Sequence, residues 1–210
     1  MNRMRNAAVF LRAVLAGTVV GVGGTVFLST DNKIMGSFLF ALGLFAICQM
    51  GLWLYTGKIG YAINGEKGYA AKLCLTWLGN FVGTAFVGMM MCVTRIGGAM
   101  HEKAAAMCEV KLQDSLLSIL ILSVFCGILM AFAVENYARN PRSFAGIFGL
   151  VLCVMVFILC SFEHCIANMF YFTVANAWSP SAVLYLLVMT LGNSFGGIAF
   201  LWIEQKTAQQ

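Results

Sequence analysis

The most constraining feature of this chain is a series of long apolar runs separated by short polar segments. Hydrophobic residues make up 61% of the sequence and charged residues only 10%, whereas a soluble domain is about half apolar and about a quarter charged. A soluble fold of this composition would expose a large apolar area, which soluble monomers avoid. The sequence therefore predicts an integral membrane protein whose surface is covered by membrane lipid.

Six of the runs are long enough to cross a bilayer, because a helical crossing needs about 20 apolar residues. The first run follows Arg3 and Arg5 as a secretory signal would, but it is longer than a signal core and contains Arg12, which indicates a retained first helix. We predict an all-α integral membrane protein with six transmembrane helices in a single domain, residues 1–210. The predicted spans are 9–29, 34–55, 69–94, 115–137, 143–162 and 181–203, and a further apolar segment covers 165–178.

Two of these runs are interrupted, and the third and sixth share a short echo. Thr56-Gly57-Lys58 ends the second run although the next residues stay apolar, and Glu163-His164 interrupts a longer apolar stretch. The echo pairs Leu78-Gly79-Asn80-Phe81-Val82-Gly83 with Leu191-Gly192-Asn193-Ser194-Phe195-Gly196. This pattern is typical of inverted three-helix repeats whose substrate path lies at broken helices. We predict repeats over about 9–94 and 115–203, with broken second and fifth helices and an aquaporin-like plan.

The Lys and Arg residues divide unevenly between the two sides of this six-span arrangement. Nine fall on the side of the termini and four on the other side. The positive-inside rule then places both termini in the cytoplasm, with the protein in the cell inner membrane. The same rule accounts for the net charge of +5, so no nucleic-acid partner is predicted. The nine are Arg3, Arg5, Arg12, Lys58, Lys67, Lys72, Arg139, Arg142 and Lys206, and the four are Lys33, Arg95, Lys103 and Lys111.

Titratable side chains within spans are costly and are therefore candidates for function. His164 is the most interesting, because a neutral imidazole can donate, accept or relay a proton near neutral pH; alternatively, it ties up loose backbone at the helix break. Glu163 could act in the path or cap the half-helix that begins near Cys165. Asn168 could serve the same break, whereas Glu135 is placed to pair with Arg139 one helical turn away.

The cysteines predict neither a cofactor nor a metal site. Seven of the eight lie in apolar stretches without a CxxC pair, as small packing residues do. Cys108 is predicted to lie in a polar loop with His101 nearby, which is too little for a metal centre.

One long motif resembles a known family. Phe162-Glu163-His164-Cys165-Ile166-Ala167-Asn168-Met169-Phe170 resembles the F-E-H-x-I-A-N-M-F signature of the formate/nitrite transporter family. Further resemblances run along nearly the whole chain. They are Phe40-Ala41-Leu42-Gly43-Leu44 for F-S-L-G-L, Leu54-Tyr55-Thr56 for L-F-T, Gly79-Asn80 and Gly192-Asn193 for the G-N marks, and Lys111 for a vestibule lysine.

Two positions depart from the family pattern. Cys126-Gly127 stands where the family has C-N, so we expect one polar group fewer in the pore. Trp53 replaces the acidic residue that usually precedes L-F-T.

The resemblance implies a homopentamer of separately conducting protomers that pass small monovalent anions such as formate, nitrite or hydrosulfide. Lys111 would concentrate anions in the outer vestibule. His164, oriented by a hydrogen bond from Thr56, would donate or relay a proton to the passing anion, or the anion would pass without proton transfer. The apolar constrictions on either side of His164 would be formed by Phe40, Leu44, Leu54 and Phe157.

Two other functions compete with this one. An aquaporin-like channel for small neutral solutes would share the inverted repeats, but the chain has no Asn-Pro-Ala pair, and its two prolines are Pro141 and Pro180. A membrane-embedded enzyme would need a His pair or a CxxC motif, and neither occurs. The sequence therefore favours a channel or transporter over an enzyme.

Overall fold

The computed structural model describes residues 5–208. Arg3, one of the two arginines that precede the first predicted span, lies outside this range. Every regular element in the described range is helical, which confirms the predicted all-α class. The helices are α1 (Asn6–Ser29), α2 (Lys33–Met50), α3 (Tyr55–Lys58), a 3-10 helix (Ile59–Asn64), α4 (Tyr69–Cys92), α5 (Gly97–Gln113), α6 (Leu116–Arg139), α7 (Phe144–Leu159), α8 (Cys165–Val174) and α9 (Pro180–Thr207).

Five helices are long and apolar enough to cross a membrane, namely α1, α2, α4, α6 and α9. The shorter apolar helices α7 and α8 account for the remaining apolar runs. The chain is therefore a multi-pass membrane protein. The predicted second span is too long, because α2 ends at Met50 and the chain leaves the helix before Thr56-Gly57-Lys58.

The segment between the third and fourth predicted spans is a helix, α5, and not the polar loop that the sequence suggested. Cys108 lies on the inner face of α5 and is only 1% exposed. Burial raises the pKa of its thiol to about 12. The expectation of a loop thiol was wrong because α5 is apolar along only one narrow face.

The two helix breaks have the same backbone design. At Gly51 and at Ser161 the chain enters the left-handed region, with φ values of 63° and 56°. The next amide then donates to a carbonyl five residues back, Leu52 N–H to Ile47 at the first break and Phe162 N–H to Phe157 at the second. This is the Schellman ending of a helix. Glycine adopts this conformation without strain, whereas Ser161 does so at a cost.

The long helices approach each other at glycines. A Cβ on Gly83 would overlap the Val14 carbonyl oxygen between α4 and α1, and a Cβ on Gly196 would overlap the Val124 carbonyl oxygen between α9 and α6. The helix pairs α1–α4 and α6–α9 therefore pack backbone against backbone, as small residues allow in membranes.

Candidate functional site

A buried asparagine holds each helix break in place. Asn193 Oδ1 accepts from Cys165 N–H at 2.8 Å, and its Nδ2 donates to the carbonyls of Ser123 and Glu163, each at 2.8 Å. The side chain is fully buried. Two of these bonds satisfy the Cys165 N–H and the Glu163 carbonyl, backbone groups at the second break that no helix ladder reaches, which is necessary inside a membrane. The third ties the break to the Ser123 carbonyl within α6.

Asn80 makes the same three bonds at the first break. Its Oδ1 accepts from Tyr55 N–H at 2.8 Å, and its Nδ2 donates to the carbonyls of Ala13 and Trp53, also at 2.8 Å. Trp53 and Glu163 therefore occupy equivalent positions in the two halves. The sequence echo includes Asn80 and Asn193 but predicts no role for either residue. The available signal was that each is the third residue of its matching motif.

His164 begins α8 and is held by two hydrogen bonds. Its Nδ1 accepts from Ala167 N–H at 3.1 Å, and its Nε2 lies 2.8 Å from Thr56 Oγ1. Because Nδ1 accepts, it carries no proton, so the neutral ring is protonated at Nε2 and donates to the Thr56 hydroxyl. The expected contact between Thr56 and His164 is thus present. The expected cap by Glu163 is wrong, because His164 itself caps α8.

The Thr56 hydroxyl hydrogen remains available for another acceptor. Its oxygen accepts from His164, and the described residues provide no second partner. Thr56 is 1% exposed and His164 is 4% exposed, so both side chains are almost completely buried. A hydroxyl that accepts one hydrogen bond becomes a better donor, which suits contact with a small anion.

Apolar side chains surround the Thr56–His164 pair. The Phe157 ring stacks on the imidazole with centroids 5.6 Å apart, and Phe40 packs edge-on against Phe157 at 6.2 Å. Leu44 and Leu54 are also buried. The four side chains expected to form constrictions therefore lie in the hydrophobic core that encloses His164.

A cavity lies at each end of this apolar region. The larger, about 520 Å³, is lined by α5, the α1–α2 loop and the second break, and includes Lys111, Glu163, His164 and Asn168; we call it the Lys111 vestibule. The smaller, about 220 Å³, is lined by the ends of α2 and α6 and by α3, and includes Leu44, Leu54 and Lys58; we call it the Lys58 vestibule. They lie at opposite ends of α2.

Lys111 is tightly paired within its vestibule. Its Nζ lies 2.6 and 2.7 Å from the two carboxylate oxygens of Glu163, and both side chains are largely buried. Asn168 Nδ2 donates to Glu163 at 2.8 Å and to the His164 carbonyl at 3.0 Å, as expected of a residue serving the break. Asn168 Oδ1 is buried without a partner among the described residues. This orphan acceptor could take a hydrogen bond from a hydroxyl or a water in the vestibule.

The remaining sequence predictions have mixed outcomes. Gly127 does not line either vestibule; a Cβ there would overlap the Asn193 carbonyl oxygen, so Gly127 is a helix-packing residue and its expected effect on pore polarity was wrong. Glu135 pairs with Arg139 at 2.8 Å, as predicted.

At the rim of the Lys111 vestibule, the Lys103 ammonium 2.8 Å from Asp31 lowers the pKa of that carboxyl. Within residues 5–208, no three His, Cys, Asp or Glu side chains group closely enough to hold a metal ion.

Comparison with known proteins decides the family. Residues 2–204 match the model of the formate/nitrite transporter family. The chain belongs to that family. It is 28% identical to the formate channel BtFdhC of Bacillus thuringiensis over 80% of this chain and 70% of the relative, and 26% identical to the nitrite transporter NirC of Escherichia coli over 91% and 80%.

The fold also matches a solved member of the family. A pentameric formate channel with formate bound superposes with a TM-score of 0.80, 24% sequence identity and 97% coverage of both chains. An ion channel of the same family superposes equally well at 23% identity, covering 96% of this chain and 90% of that one. Because residues 2–204 match the formate/nitrite transporter family and the relatives named above are channels and transporters, this family member is a membrane channel or transporter and not an enzyme.

Proposed function

We propose that this protein forms a homopentamer in which each protomer passes small monovalent anions, of the formate, nitrite or hydrosulfide class, together with a proton past His164. We also propose that each protomer crosses the inner membrane six times in two inverted repeats, with both termini in the cytoplasm. The observation that carries it is the Thr56–His164–Ala167 hydrogen-bond chain between two vestibules. The formate channel and nitrite transporter among its relatives support the anion class.

The apolar region between the vestibules determines which form of the solute can cross. An anion that leaves water for a site lined by Phe40, Leu44 and Phe157 loses hydration worth many kcal/mol, whereas its conjugate acid loses far less. A path of this kind therefore favours the neutral acid. Net transport then moves one proton with each anion.

The hydrogen bonds of His164 favour a neutral imidazole at every stage of transport. A second proton on Nδ1 would break the bond from Ala167 N–H and place a positive charge at the N-terminus of α8, where the helix dipole opposes it. Loss of the Nε2 proton would leave an imidazolate. His164 therefore acts by polarising the Thr56 hydroxyl, which donates to the substrate, and the proton that neutralises the anion enters with it from the vestibule.

The surface of the protomer suits both lipid and partner subunits. Large apolar side chains such as Leu11, Leu191 and Phe195 are more than 60% exposed, and they lie on helices long enough to span the bilayer. The pentameric assembly of the superposed formate channel supports the same assembly for this chain.

Proteoliposomes that contain a pH-sensitive dye test this mechanism. Addition of formate, nitrite or hydrosulfide should cause anion uptake with internal acidification in a ratio near one, and protein-free liposomes provide the background of acid that crosses lipid unaided. Anion uptake without acidification would overturn the proton-linked step. Rapid glycerol or urea uptake with no anion uptake would instead support the aquaporin-like alternative.

Two variants test the role of the hydrogen-bonded pair. Thr56→Val removes the hydroxyl, and His164→Asn keeps an oxygen that can cap Ala167 N–H but is too short to reach Thr56. Each should lower the rate about tenfold, the value of one lost hydrogen bond of about 1.4 kcal/mol. The double variant should be little worse than either single one. Wild-type rates in both variants, with equal pentamer content, would show that the Thr56–His164 pair has no role in transport.

A further inference from the structure

The two vestibules differ in how their lysines are neutralised. Lys111 has a carboxylate partner, Glu163, at 2.6 Å. Lys58 has neither an ion pair nor a side-chain hydrogen bond from its Nζ within the part of the chain that the structure describes; its ammonium instead lies over the Trp53 ring, 5.6 Å from the centroid. The difference follows from the equivalent positions of Trp53 and Glu163, one giving a π-face and the other a carboxylate.

We propose that Lys58 forms an anion-binding site in the vestibule at the C-terminal end of α2, and that Trp53 in place of an acidic residue is what leaves its charge free. The passing anion is the ligand of this site, so the inference rests on the proposed anion transport. Lys111 cannot serve this side, because it lines the cavity at the other end of α2.

The surroundings of Lys58 support an anion rather than another occupant. Among the described residues that line this vestibule, Lys58 carries the only formal charge, and the rest are apolar or small except for a cysteine and two tyrosines. Both tyrosine hydroxyls are committed elsewhere: Tyr61 donates to Glu135 at 2.7 Å, and Tyr137 donates to Gln49. Lys58 is therefore the one strong donor that remains for a ligand in the cavity.

The carboxylates of Glu135 and Glu204 are paired with groups other than Lys58. Glu135 accepts from Tyr61 and from Arg139, and Arg139 also bridges to Glu204 at 2.6 Å. These side chains form a network between α6 and α9 that does not include Lys58. A half-buried ammonium without a carboxylate is costly to keep in an apolar cavity, and a monovalent anion of the transported class would offset that cost.

The cavity also limits what can bind. Its volume of about 220 Å³ holds a small anion with several waters but no large metabolite. An aromatic ring beside the ammonium holds the charge in place without neutralising it, since a cation–π contact leaves the net charge unchanged. The site should therefore raise the local concentration of any small monovalent anion, with little selectivity among them.

Quenching of Trp53 fluorescence tests the site without any transport measurement. Trp77→Phe, Trp178→Phe and Trp202→Phe together leave Trp53 as the single tryptophan. Iodide, a monovalent anion, should quench it several times more strongly than neutral acrylamide, relative to free tryptophan. Lys58→Met should lower the iodide quenching constant about threefold to tenfold, as expected for removal of a unit charge a few ångströms away, with acrylamide quenching unchanged.

Matched variants make the result specific. Lys58→Arg should keep strong iodide quenching, and Lys206→Met, which removes an exposed charge at the end of α9, should have no effect. Trp53→Glu, examined by anion flux, should raise the half-saturating concentration as much as Lys58→Met does, because it supplies the missing carboxylate. If the triple tryptophan variant does not fold, the flux comparison of Lys58→Met with Lys206→Met decides the question.

The outcomes separate this inference from the transport proposal. Iodide quenching that is the same in Lys58→Met and wild type overturns the anion site, whatever the flux. A half-saturating concentration unchanged by Lys58→Met, measured with substrate on the side of the termini, overturns it also. Lys58-dependent quenching in a protein that transports none of the anions supports the site and refutes the proposed transport function.

Discussion

Asn193 offers the most direct test of how the path is built. Asn193→Leu keeps nearly the same volume but removes three hydrogen bonds, one from Cys165 N–H and two to the carbonyls of Ser123 and Glu163. The Cys165 N–H and the Glu163 carbonyl then lie unpaired around a fully buried side chain, whereas the Ser123 carbonyl keeps its place in the α6 helix ladder. Each unpaired buried group costs about 1–3 kcal/mol, so the expected loss in free energy of unfolding for the two groups is roughly 2–6 kcal/mol.

The loss is measured by SDS titration in mixed micelles, with pentamer content followed in mild detergent. Asn80→Leu is the matched variant, because it removes the same three bonds at the other break and should cost a similar amount. Leu191→Ala, at an exposed position of the same helix, is the control and should cost much less. A stability of Asn193→Leu within about 1 kcal/mol of wild type would refute the clamp, since even one unpaired group should cost that much.

Two further predictions follow from the ion pair and from the helix contacts. Lys111→Met should destabilise the protein by about 3–5 kcal/mol by leaving the Glu163 carboxylate buried without a cation, whereas the double variant Lys111→Met/Glu163→Gln should recover most of that loss in the same titration; equal stability of the single and double variants would argue against the pair. Gly127→Ala should lower the melting temperature and the pentamer yield because its Cβ would overlap the Asn193 carbonyl, while Gly98→Ala, with open space around it, should be neutral; comparable behaviour of the two would refute the close contact.

The spans were predictable because each depends on a long apolar run, which is visible directly in the order of residues. The start of α4 agrees with the prediction, as does the end of α1. The end of α2 was missed by five residues, because Leu52 and Leu54 are as apolar as the helix that precedes them and only the φ of Gly51 ends it. A backbone conformation of this kind leaves little trace in hydrophobic periodicity.

The residues of the candidate site were predictable, and the family resemblance supplied the Thr56–His164 contact, but the other pairings were not predicted. His164 and Thr56 are far apart in sequence and meet only because the two breaks face each other. The ion pair of Lys111 with Glu163 likewise needs α5 to fold over the second break, and α5 itself was missed because its 17 residues are mostly small or polar. Long-range contacts between short polar segments carry no periodic signal. The cap on α8 is local, but Glu163 and His164 are adjacent and both carry acceptors, so the sequence did not decide which of them forms it.

The two breaks share one backbone device and differ at the residue that follows it. Leu54 and His164 both directly precede the amide that an asparagine clamps, but Leu54 provides no side-chain cap whereas His164 caps Ala167 and reaches Thr56. A polar ring at both breaks would wet the apolar region and let ions pass with their hydration, and leucine at both would leave the Thr56 hydroxyl without the hydrogen bond from His164 that polarises it. With one of each, the region stays dry and holds a single polarised hydroxyl. In the proposed mechanism, this inequality between otherwise matched halves would allow a small acid to cross while a hydrated ion is excluded.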